Sequence, residues 1–308
     1  MNPNESNLLR SIMAAANLPE NPGFSVLGDS ISTLNGYIPE GWRCHYEGEV
    51  SIEGILTPAD TWWGKVMNAF GGHLVGNASF SGSCMEGFGF PGGCSMERAQ
   101  GLVGANGETP DCVLVFMGIN DYGWGGARQQ VMGGSLSRSA NREDLGEPYE
   151  VLETVDAAAL QRFHDAYAQA LDNIHTVAPG AEIWCLTLCP GTTDSMPWPH
   201  FMYRERGIDL DEYNDAIRSA AAEAGAHVAD LRSFNIDYDS VDDTHPSALG
   251  MTQIAAMVCS QMGLEADLSV LESSPASQRH CPKETCGGCE FNGNQPSGWV
   301  LTCAKKPE

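Results

Sequence analysis

An apolar run that ends in Gly-Asp-Ser constrains the fold of this chain more than any other feature. Residues 24–27 read Phe-Ser-Val-Leu and are followed by Gly28, Asp29 and Ser30, the pattern of a buried parallel strand that ends in a hydroxyl. Open α/β sheets bind ligands at that end of their strands, and Gly28 permits a sharp turn there because it lacks a Cβ. Gly, Asp and Ser are also common turn residues. The tripeptide alone therefore favours an ordinary turn, and a site needs a base and a carboxylate from elsewhere.

Apolar runs alternate with helical patterns along most of the chain. The predicted strands cover residues 24–27, 74–78, 113–117, 183–188 and 227–231. This alternation predicts an α/β fold whose parallel sheet carries helices on both faces, joined by right-handed crossovers. A Gly- and Cys-rich segment forms the C-terminal end. We therefore expect one α/β domain over residues 1–270 and a small Cys-rich appendage over residues 271–308.

The charge of the chain excludes several classes of partner. Its 40 acidic and 16 basic residues give a formal net charge of −24, which repels phosphate backbones and anionic lipid head groups. Neither a secretory signal nor an apolar stretch of membrane-spanning length is visible, so we expect a cytoplasmic location. Cys112, Cys185, Cys189 and Cys259 lie within or beside apolar segments and are interpreted as reduced core residues.

Four cysteines in the appendage are candidate ligands of a structural metal. Cys281, Cys286, Cys289 and Cys303 lie in a segment with too few apolar residues to fold without a bound metal or disulfide bonds. They either hold a tetrahedral zinc ion through four thiolates or form two disulfides, if the protein is exported. The expected cytoplasmic location favours zinc. Four thiolates leave no open coordination position, so no zinc and no other cofactor is predicted to take part in catalysis.

A candidate base and its carboxylate lie near the end of the α/β region. His245 lies just before the last predicted helix, three residues after Asp242. A serine nucleophile needs a base to accept its proton and a carboxylate to orient that base. A tight turn in Asp-x-x-His lets the carboxylate reach one ring nitrogen while the other faces Ser30. Asp243 is the competing carboxylate, with one residue fewer before His245, and the motif alone is also typical of a helix N-cap.

Donors for an oxyanion are expected at the strand ends that neighbour Ser30. Gly82 follows the second strand and offers a backbone N–H that a ligand can approach closely. Asn120 follows the third strand and offers a side-chain amide. One such donor typically stabilises the transition state by about 2.7–4 kcal/mol.

Several sequence blocks together resemble the SGNH (GDSL) hydrolase superfamily. In that superfamily's order and spacing, over residues 20–262, stand Gly28-Asp29-Ser30, Gly82, Gly118-Ile119-Asn120-Asp121 and Asp242-Asp243-Thr244-His245-Pro246. Trp62-Trp63-Gly64 and Tyr213-Asn214 are similar to its bacterial carbohydrate-esterase-like members. The resemblance implies a three-layer, flavodoxin-like α/β/α sandwich with a five-stranded parallel sheet of order 2-1-3-4-5. It also implies that Asp29 and Asp121 are structural and hydrogen-bond the loops.

The resemblance further implies ester hydrolysis through an acyl-serine intermediate. Ser30 would be the nucleophile, with His245 as general base and then general acid, and with Asp242 orienting that imidazole. The backbone N–H groups of Ser30 and Gly82 and the side chain of Asn120 would form the oxyanion hole.

The residues outside these blocks leave the substrate open. The long loops over residues 31–60 and 122–150 depart from the superfamily pattern, and such loops shape its acyl and alcohol pockets. Trp42 and Tyr46 either form a substrate wall or pack their loop down. The remaining histidines are interpreted as surface or packing residues, with His45 and His200 in loops that could approach the site.

These observations predict a serine esterase that hydrolyses a small-molecule ester, with an acetyl group expected and a carbohydrate as a plausible alcohol. A lipase or lysophospholipase is the enzymatic alternative, although the negative charge disfavours anionic membrane substrates. A non-catalytic carbohydrate-binding protein on the same fold is the other alternative. The joint presence of Ser30, Asn120, Asp242 and His245 argues against it.

Overall fold

The structure, a computed structural model, describes nine strands and six α-helices in residues 17–48, 54–87, 89–124, 154–192 and 203–272. The strands are β1 (Gly23–Gly28), β2 (His73–Asn77), β3 (Cys112–Phe116), β4 (Glu182–Leu186), β5 (Gly191–Thr192), β6 (Arg204–Glu205), β7 (Ile208–Asp209), β8 (His227–Ala229) and β9 (Tyr238–Asp239). The helices are α1 (Trp62–Ala69), α2 (Met96–Gln100), α3 (Ile119–Trp124), α4 (Ala157–Val177), α5 (Leu210–Ala224) and α6 (Ala248–Gln261). Four 3-10 turns cover Ser30–Ser32, Pro58–Asp60, Leu231–Phe234 and Leu268–Leu271.

Five parallel strands form the central sheet in the order β2-β1-β3-β4-β8. Counted along the strands of this sheet, that is the predicted order 2-1-3-4-5. Gly28 at the end of β1 is level with Phe116 at the end of β3, and Asn77 at the end of β2 pairs with Val26. The chain therefore leaves three neighbouring strands at one edge, which is where the candidate site residues follow.

Helices flank this sheet and bury its apolar strands. Helix α1 packs against α6, whereas α4 packs against α5 and α2. All five residues of β3 are buried, as a strand covered on both faces requires. Asp156 caps α4 by accepting a hydrogen bond from the Ala159 N–H, and α5 ends at Gly225 in a left-handed conformation. The predicted α/β sandwich with a five-stranded parallel sheet is confirmed.

The described cysteines agree with a reduced core. Cys112, Cys185, Cys189 and Cys259 are buried and have free thiols, as predicted. The four predicted zinc ligands, the appendage over residues 271–308 beyond Glu272 and most of the 122–150 loop lie outside the described residues. Zinc binding by the appendage stays a prediction. Among the described helices, none combines the length and apolar character that crossing a bilayer demands.

Candidate active site

The loop over residues 240–246, here called the base loop, holds the predicted base and its carboxylate together. Asp242 Oδ2 lies 2.7 Å from His245 Nδ1, and Asp242 Oδ1 accepts a hydrogen bond of 2.8 Å from the His245 backbone N–H. The loop closes on itself because the Val241 N–H donates to the His245 carbonyl oxygen, at 2.9 Å. Asp243 follows with a φ of 69°. Of the two competing carboxylates, Asp242 is the one hydrogen-bonded to the imidazole.

The Asp242 carboxyl is ionised at any pH near neutrality. Partial burial raises its pKa, but the hydrogen bonds and the charge of His245 outweigh that effect and lower the pKa to about 2. An ionised carboxylate at Nδ1 keeps the ring proton on that nitrogen, so Nε2 is left as the basic atom.

The predicted nucleophile lies in a tight turn directly after β1. Ser30 begins a 3-10 turn and is 4% exposed, and the Asp29 side chain caps that turn by accepting a hydrogen bond from the Ile31 N–H. We call residues 29–33 the nucleophile turn. A Cβ on Gly28 would lie 2.4 Å from Cβ of Ser32, so only glycine allows the chain to turn this tightly here. The prediction that Asp29 hydrogen-bonds its loop is confirmed.

Asp29 lies in an electrostatic setting opposite to that of Asp242. Complete burial raises its pKa to about 6, although the Ile31 N–H and the charges of His245 and Arg98 act in the other direction. Its carboxyl therefore interacts with the imidazole of His245. Asp29, which precedes Ser30, and His245 of the base loop are thus close enough for their charges to interact.

His45 and Tyr46 connect the base loop to the nucleophile turn. The imidazole of His45 stacks on that of His245, with ring centroids 3.5 Å apart and planes inclined by 8°. The His45 N–H donates to Thr33 Oγ1 at 2.9 Å, and this hydroxyl donates to the Ser30 carbonyl oxygen at 2.9 Å. Sequence reasoning interpreted His45 as a surface or packing residue in a loop that could approach the site, and the ring does approach it, because it packs on the predicted base itself.

Trp42 and Tyr46 pack the 31–60 loop down. Tyr46 is fully buried and its hydroxyl donates to the Pro246 carbonyl oxygen at 2.9 Å. Trp42 is buried against the rings of Phe80 and Phe90. Of the two interpretations left open by the sequence, packing is the one that these contacts support.

The two predicted oxyanion donors from the other strands lie next to each other. Gly82 has a φ of 77°, a conformation that favours glycine. The side-chain amide of Asn120 donates to the carbonyl oxygen of Ser83, the residue after Gly82, at 3.0 Å. The Phe80 N–H donates to the Gly28 carbonyl oxygen, so this loop is also attached to the end of β1.

Asp121 fixes the segment that follows this loop. Its two carboxylate oxygens accept hydrogen bonds from the Met85 N–H at 2.7 Å and the Glu86 N–H at 3.0 Å. Burial and the nearby Glu86 raise the pKa of Asp121, while the two N–H groups act against that shift. The predicted structural role of Asp121 is confirmed.

The buried side chain of Arg98 contacts the chain at the ends of β1, β2 and β3. Sequence reasoning did not identify this residue. Arg98 is 0% exposed. It donates to the carbonyl oxygens of Gly28 at the end of β1 (2.5 Å) and Ala78 after β2 (2.7 Å), and its Nη2 lies 3.9 Å from Sδ of Met117, which follows β3. It also donates to Ser83 Oγ (3.0 Å). Burial lowers the pKa of Arg98 to about 9, so the side chain still carries its charge at neutral pH. Its donors hold the backbone on either side of the predicted oxyanion hole.

His45, Asp242 and His245 also place three possible ligand atoms within 4.8 Å of one another. The lone pairs of imidazole nitrogens lie in the ring planes, and here the two planes are nearly parallel and face each other. A zinc ion about 2.0–2.1 Å from both rings would lie well outside at least one ring plane. The arrangement therefore supports a stacked pair with a carboxylate rather than a metal centre.

Comparison with known proteins identifies the family of this chain. The model of the GDSL-like Lipase/Acylhydrolase family matches residues 26–253, more than half of the chain and a span that contains all five predicted site residues of the α/β domain. No curated protein matches the chain.

Solved structures with a similar fold include a protein described as a GDSL-like lipase from Bacteroides uniformis. It is 26% identical, with a TM-score of 0.51, and the match covers 78% of this chain and 94% of that one. A protein described as a GDSL-like lipase from Bacteroides ovatus is 22% identical, with a TM-score of 0.49, covering 79% and 99%. A family 2 carbohydrate esterase with a carbohydrate-binding domain, from Corynascus thermopiles, is 19% identical, with a TM-score of 0.47, covering 80% and 68%. On the family match, the chain belongs to the GDSL-like lipase/acylhydrolase family and is an ester hydrolase.

Proposed function

We propose that this ester hydrolase removes a small acyl group, acetyl in the first place, from a carbohydrate alcohol, with Ser30 as the nucleophile. The observation that carries the catalytic part is the pairing of Asp242 with His245 Nδ1 at 2.7 Å, on a loop fastened to the turn that holds Ser30. A base oriented by a carboxylate, on a loop that His45 and Tyr46 connect to the turn of a buried hydroxyl, supports acyl transfer through serine.

In this proposal, Ser30 Oγ attacks the ester carbonyl carbon while His245 Nε2 accepts the hydroxyl proton. Asp242 stabilises the imidazolium that forms. The N–H groups of Ser30 and Gly82 and the amide of Asn120 donate to the oxyanion of the tetrahedral intermediate. The C–O bond to the alcohol then breaks, and the imidazolium protonates the departing alkoxide. Water, deprotonated by His245, releases the acid from the acyl-serine and restores the Ser30 hydroxyl.

Two properties of the chain support a small and uncharged acyl group. Ser30 is 4% exposed, which suits a short acyl chain better than a long one that must lie along an open apolar groove. The net charge of −24 disfavours anionic substrates and lipid surfaces. The carbohydrate part rests on the resemblance of Trp62-Trp63-Gly64 and Tyr213-Asn214 to carbohydrate-esterase-like members, since Trp42 and Tyr46 are buried and do not supply a stacking surface.

A lipase-type activity is the second candidate, because the Bacteroides uniformis protein at 26% identity is described as a GDSL-like lipase. The two candidates differ in the acyl chain that they accept. A series of p-nitrophenyl esters from acetyl to octanoyl, followed by a panel of acetylated sugars, separates them. A kcat/KM that falls steadily with chain length supports the acetyl proposal, and one that rises with chain length contradicts it.

Replacement of the proposed nucleophile is the direct test of the mechanism. Ser30→Ala should lower kcat for p-nitrophenyl acetate by several orders of magnitude, up to about 10⁶-fold, because the variant lacks the hydroxyl that attacks the carbonyl in the proposed mechanism. Ser32→Ala is a matched control in the same turn, where the hydroxyl accepts a hydrogen bond from Trp62 Nε1 at 3.2 Å. This control should cost some stability and keep kcat. Equal activity of Ser30→Ala and the wild type would remove Ser30 from the mechanism.

A further inference from the structure

The flat face of the predicted base is covered by a second imidazole. His45 lies 3.5 Å from His245, centroid to centroid, with nearly parallel planes, while Asp242 holds His245 at the edge of the ring through Nδ1. One hydrogen bond fixes a single ring atom and leaves the ring plane able to tilt about it. A face-to-face contact removes that tilt, so the direction in which Nε2 points depends on His45.

His45 is itself fastened to the nucleophile turn. Its N–H donates to Thr33 Oγ1, and that hydroxyl donates to the carbonyl oxygen of Ser30, both at 2.9 Å. The next residue, Tyr46, donates through its hydroxyl to the Pro246 carbonyl oxygen. Residues 45 and 46 therefore orient the ring plane of His245 relative to the backbone of Ser30. Neither Asp242 nor the base loop provides such a connection.

The charges around the two rings make this contact sensitive to protonation. The carboxyl groups of Asp242 and Asp29 both interact electrostatically with His245. The Tyr46 ring meets both imidazoles edge-on, and its hydroxyl is a neutral donor. Burial raises the pKa of the neighbouring Cys44 thiol to about 11, so that group is also neutral. Among these neighbours, His45 is the one that can gain a positive charge, and two stacked imidazolium rings repel each other.

We infer that His45 is a positioning residue that fixes the ring plane of His245 when neutral and opposes proton transfer from Ser30 when protonated. This inference rests on the proposed function of Ser30 and His245. It predicts that the wild-type enzyme loses activity on the acid side more steeply than a single imidazole would produce, because a proton on either ring impairs the base.

Two variants of similar size separate the stack from the ring nitrogens. His45→Phe keeps an aromatic face and cannot be protonated, whereas His45→Gln keeps polar atoms and loses the face. With p-nitrophenyl acetate we expect His45→Gln to lower kcat roughly two- to tenfold, the worth of one aromatic pair, with KM nearly unchanged. His45→Phe should retain kcat at neutral and alkaline pH, and its log kcat/KM should fall with acid by about one proton less than that of the wild type.

The same variants provide the results that would overturn the inference. Thermal unfolding shows which proteins are folded, so loss of structure is not mistaken for loss of positioning. Wild-type kcat in His45→Gln, or an acid limb in His45→Phe that matches the wild type, contradicts it, and so does rescue of kcat by Gln but not by Phe. These failures differ from failure of the proposed function, in which Ser30→Ala keeps full activity whatever residue stands at position 45.

Discussion

The nucleophile turn and the base loop are built in different ways, although both belong to the proposed site. The nucleophile turn continues a central strand, is almost fully buried, and lies over Arg98, which joins three strand ends. The base loop lies on the rim, where the Asp242 side chain is 49% exposed. It is held by its own hydrogen bonds and by the contacts of residues 45 and 46. The central sheet positions the nucleophile turn, whereas hydrogen bonds and ring contacts of the loops position the base loop.

The two aspartates show what this difference does to one residue type. Burial raises the pKa of Asp29 to about 6, whereas the hydrogen bonds from His245 overcome partial burial and lower the pKa of Asp242 to about 2. Asp29 caps a turn and costs stability when it ionises, while Asp242 is stabilised in its charged form and faces the base. Position in the fold, rather than residue type, separates a structural carboxylate from an orienting one.

After Ser30→Ala, the largest effect is expected where the rim half depends on a single carboxylate. Asp242→Asn should lower kcat by about 10⁴-fold, because an amide at this position favours the wrong tautomer of His245 and cannot stabilise the imidazolium. KM should change little. Steady-state kinetics with p-nitrophenyl acetate measure both values.

The neighbouring aspartate is the matched control. Asp243 is buried and has a φ of 69°, a conformation that Asn tolerates, so Asp243→Asn keeps the backbone of the base loop. We expect this variant to keep a kcat close to that of the wild type. A larger loss in Asp243→Asn than in Asp242→Asn would reverse the assignment of the carboxylate.

A smaller effect is expected from a single oxyanion donor of the buried half. Asn120→Ala should lower kcat by about 10²- to 10³-fold through loss of one oxyanion donor, with a modest change in stability. Asn214→Ala is the contrasting variant, because the fully buried Asn214 bonds both the N–H and the carbonyl oxygen of Leu188. It should cost about 1–3 kcal/mol of stability and leave kcat unchanged. Similar kinetic losses in both variants would show that Asn120 acts only through packing.

The buried half was largely predictable from the sequence because it follows from strand patterns. A fully apolar strand such as β3 can be recognised from its sequence. The residues that follow neighbouring parallel strands must lie at the same edge of the sheet. Gly28 ends β1, and Ser30, Gly82 and Asn120 follow the ends of β1, β2 and β3 along the chain, as predicted. The Asp-x-x-His spacing likewise predicted the contact between Asp242 and His245, since that contact is local in the chain.

The contacts between separate loops could not be predicted in the same way. His45 and His245 are two hundred residues apart, and nothing in the Cys-His-Tyr sequence around His45 indicates a partner. Arg98 resembles any charged residue of a surface helix, and only its burial beneath three strand ends shows its role. Long-range contacts of polar residues have no periodicity in the sequence, whereas apolar strands and short motifs do.

The smallest expected effect is on the pH dependence of the free energy of unfolding, and it compares Asp29 with Asp242. Between about pH 4 and 6, folded wild-type protein binds more protons at Asp29 than unfolded protein, so this residue's contribution to stability falls as the pH rises through that window. The shift from 3.8 to about 6 corresponds to at most about 3 kcal/mol. Asp29→Asn lacks this dependence, so its stability relative to the wild type should increase from pH 4 to pH 7. Urea unfolding of both proteins over that range measures the difference.

Asp242→Asn provides the comparison of opposite sign in the same experiment. The lowered pKa of Asp242 means that its contribution is present above its unfolded pKa and is lost as the pH falls through about 2. Glu86 and Glu205, whose pKa burial raises to about 7, titrate in all of these proteins and cancel in the differences. From pH 4 to about pH 5.5, below the ordinary pKa of histidine, the Asp242→Asn difference should therefore stay nearly constant while the Asp29→Asn difference grows. If neither stability difference changes with pH, burial does not raise the pKa of Asp29. The buried and rim halves of the site would then not differ in their electrostatics.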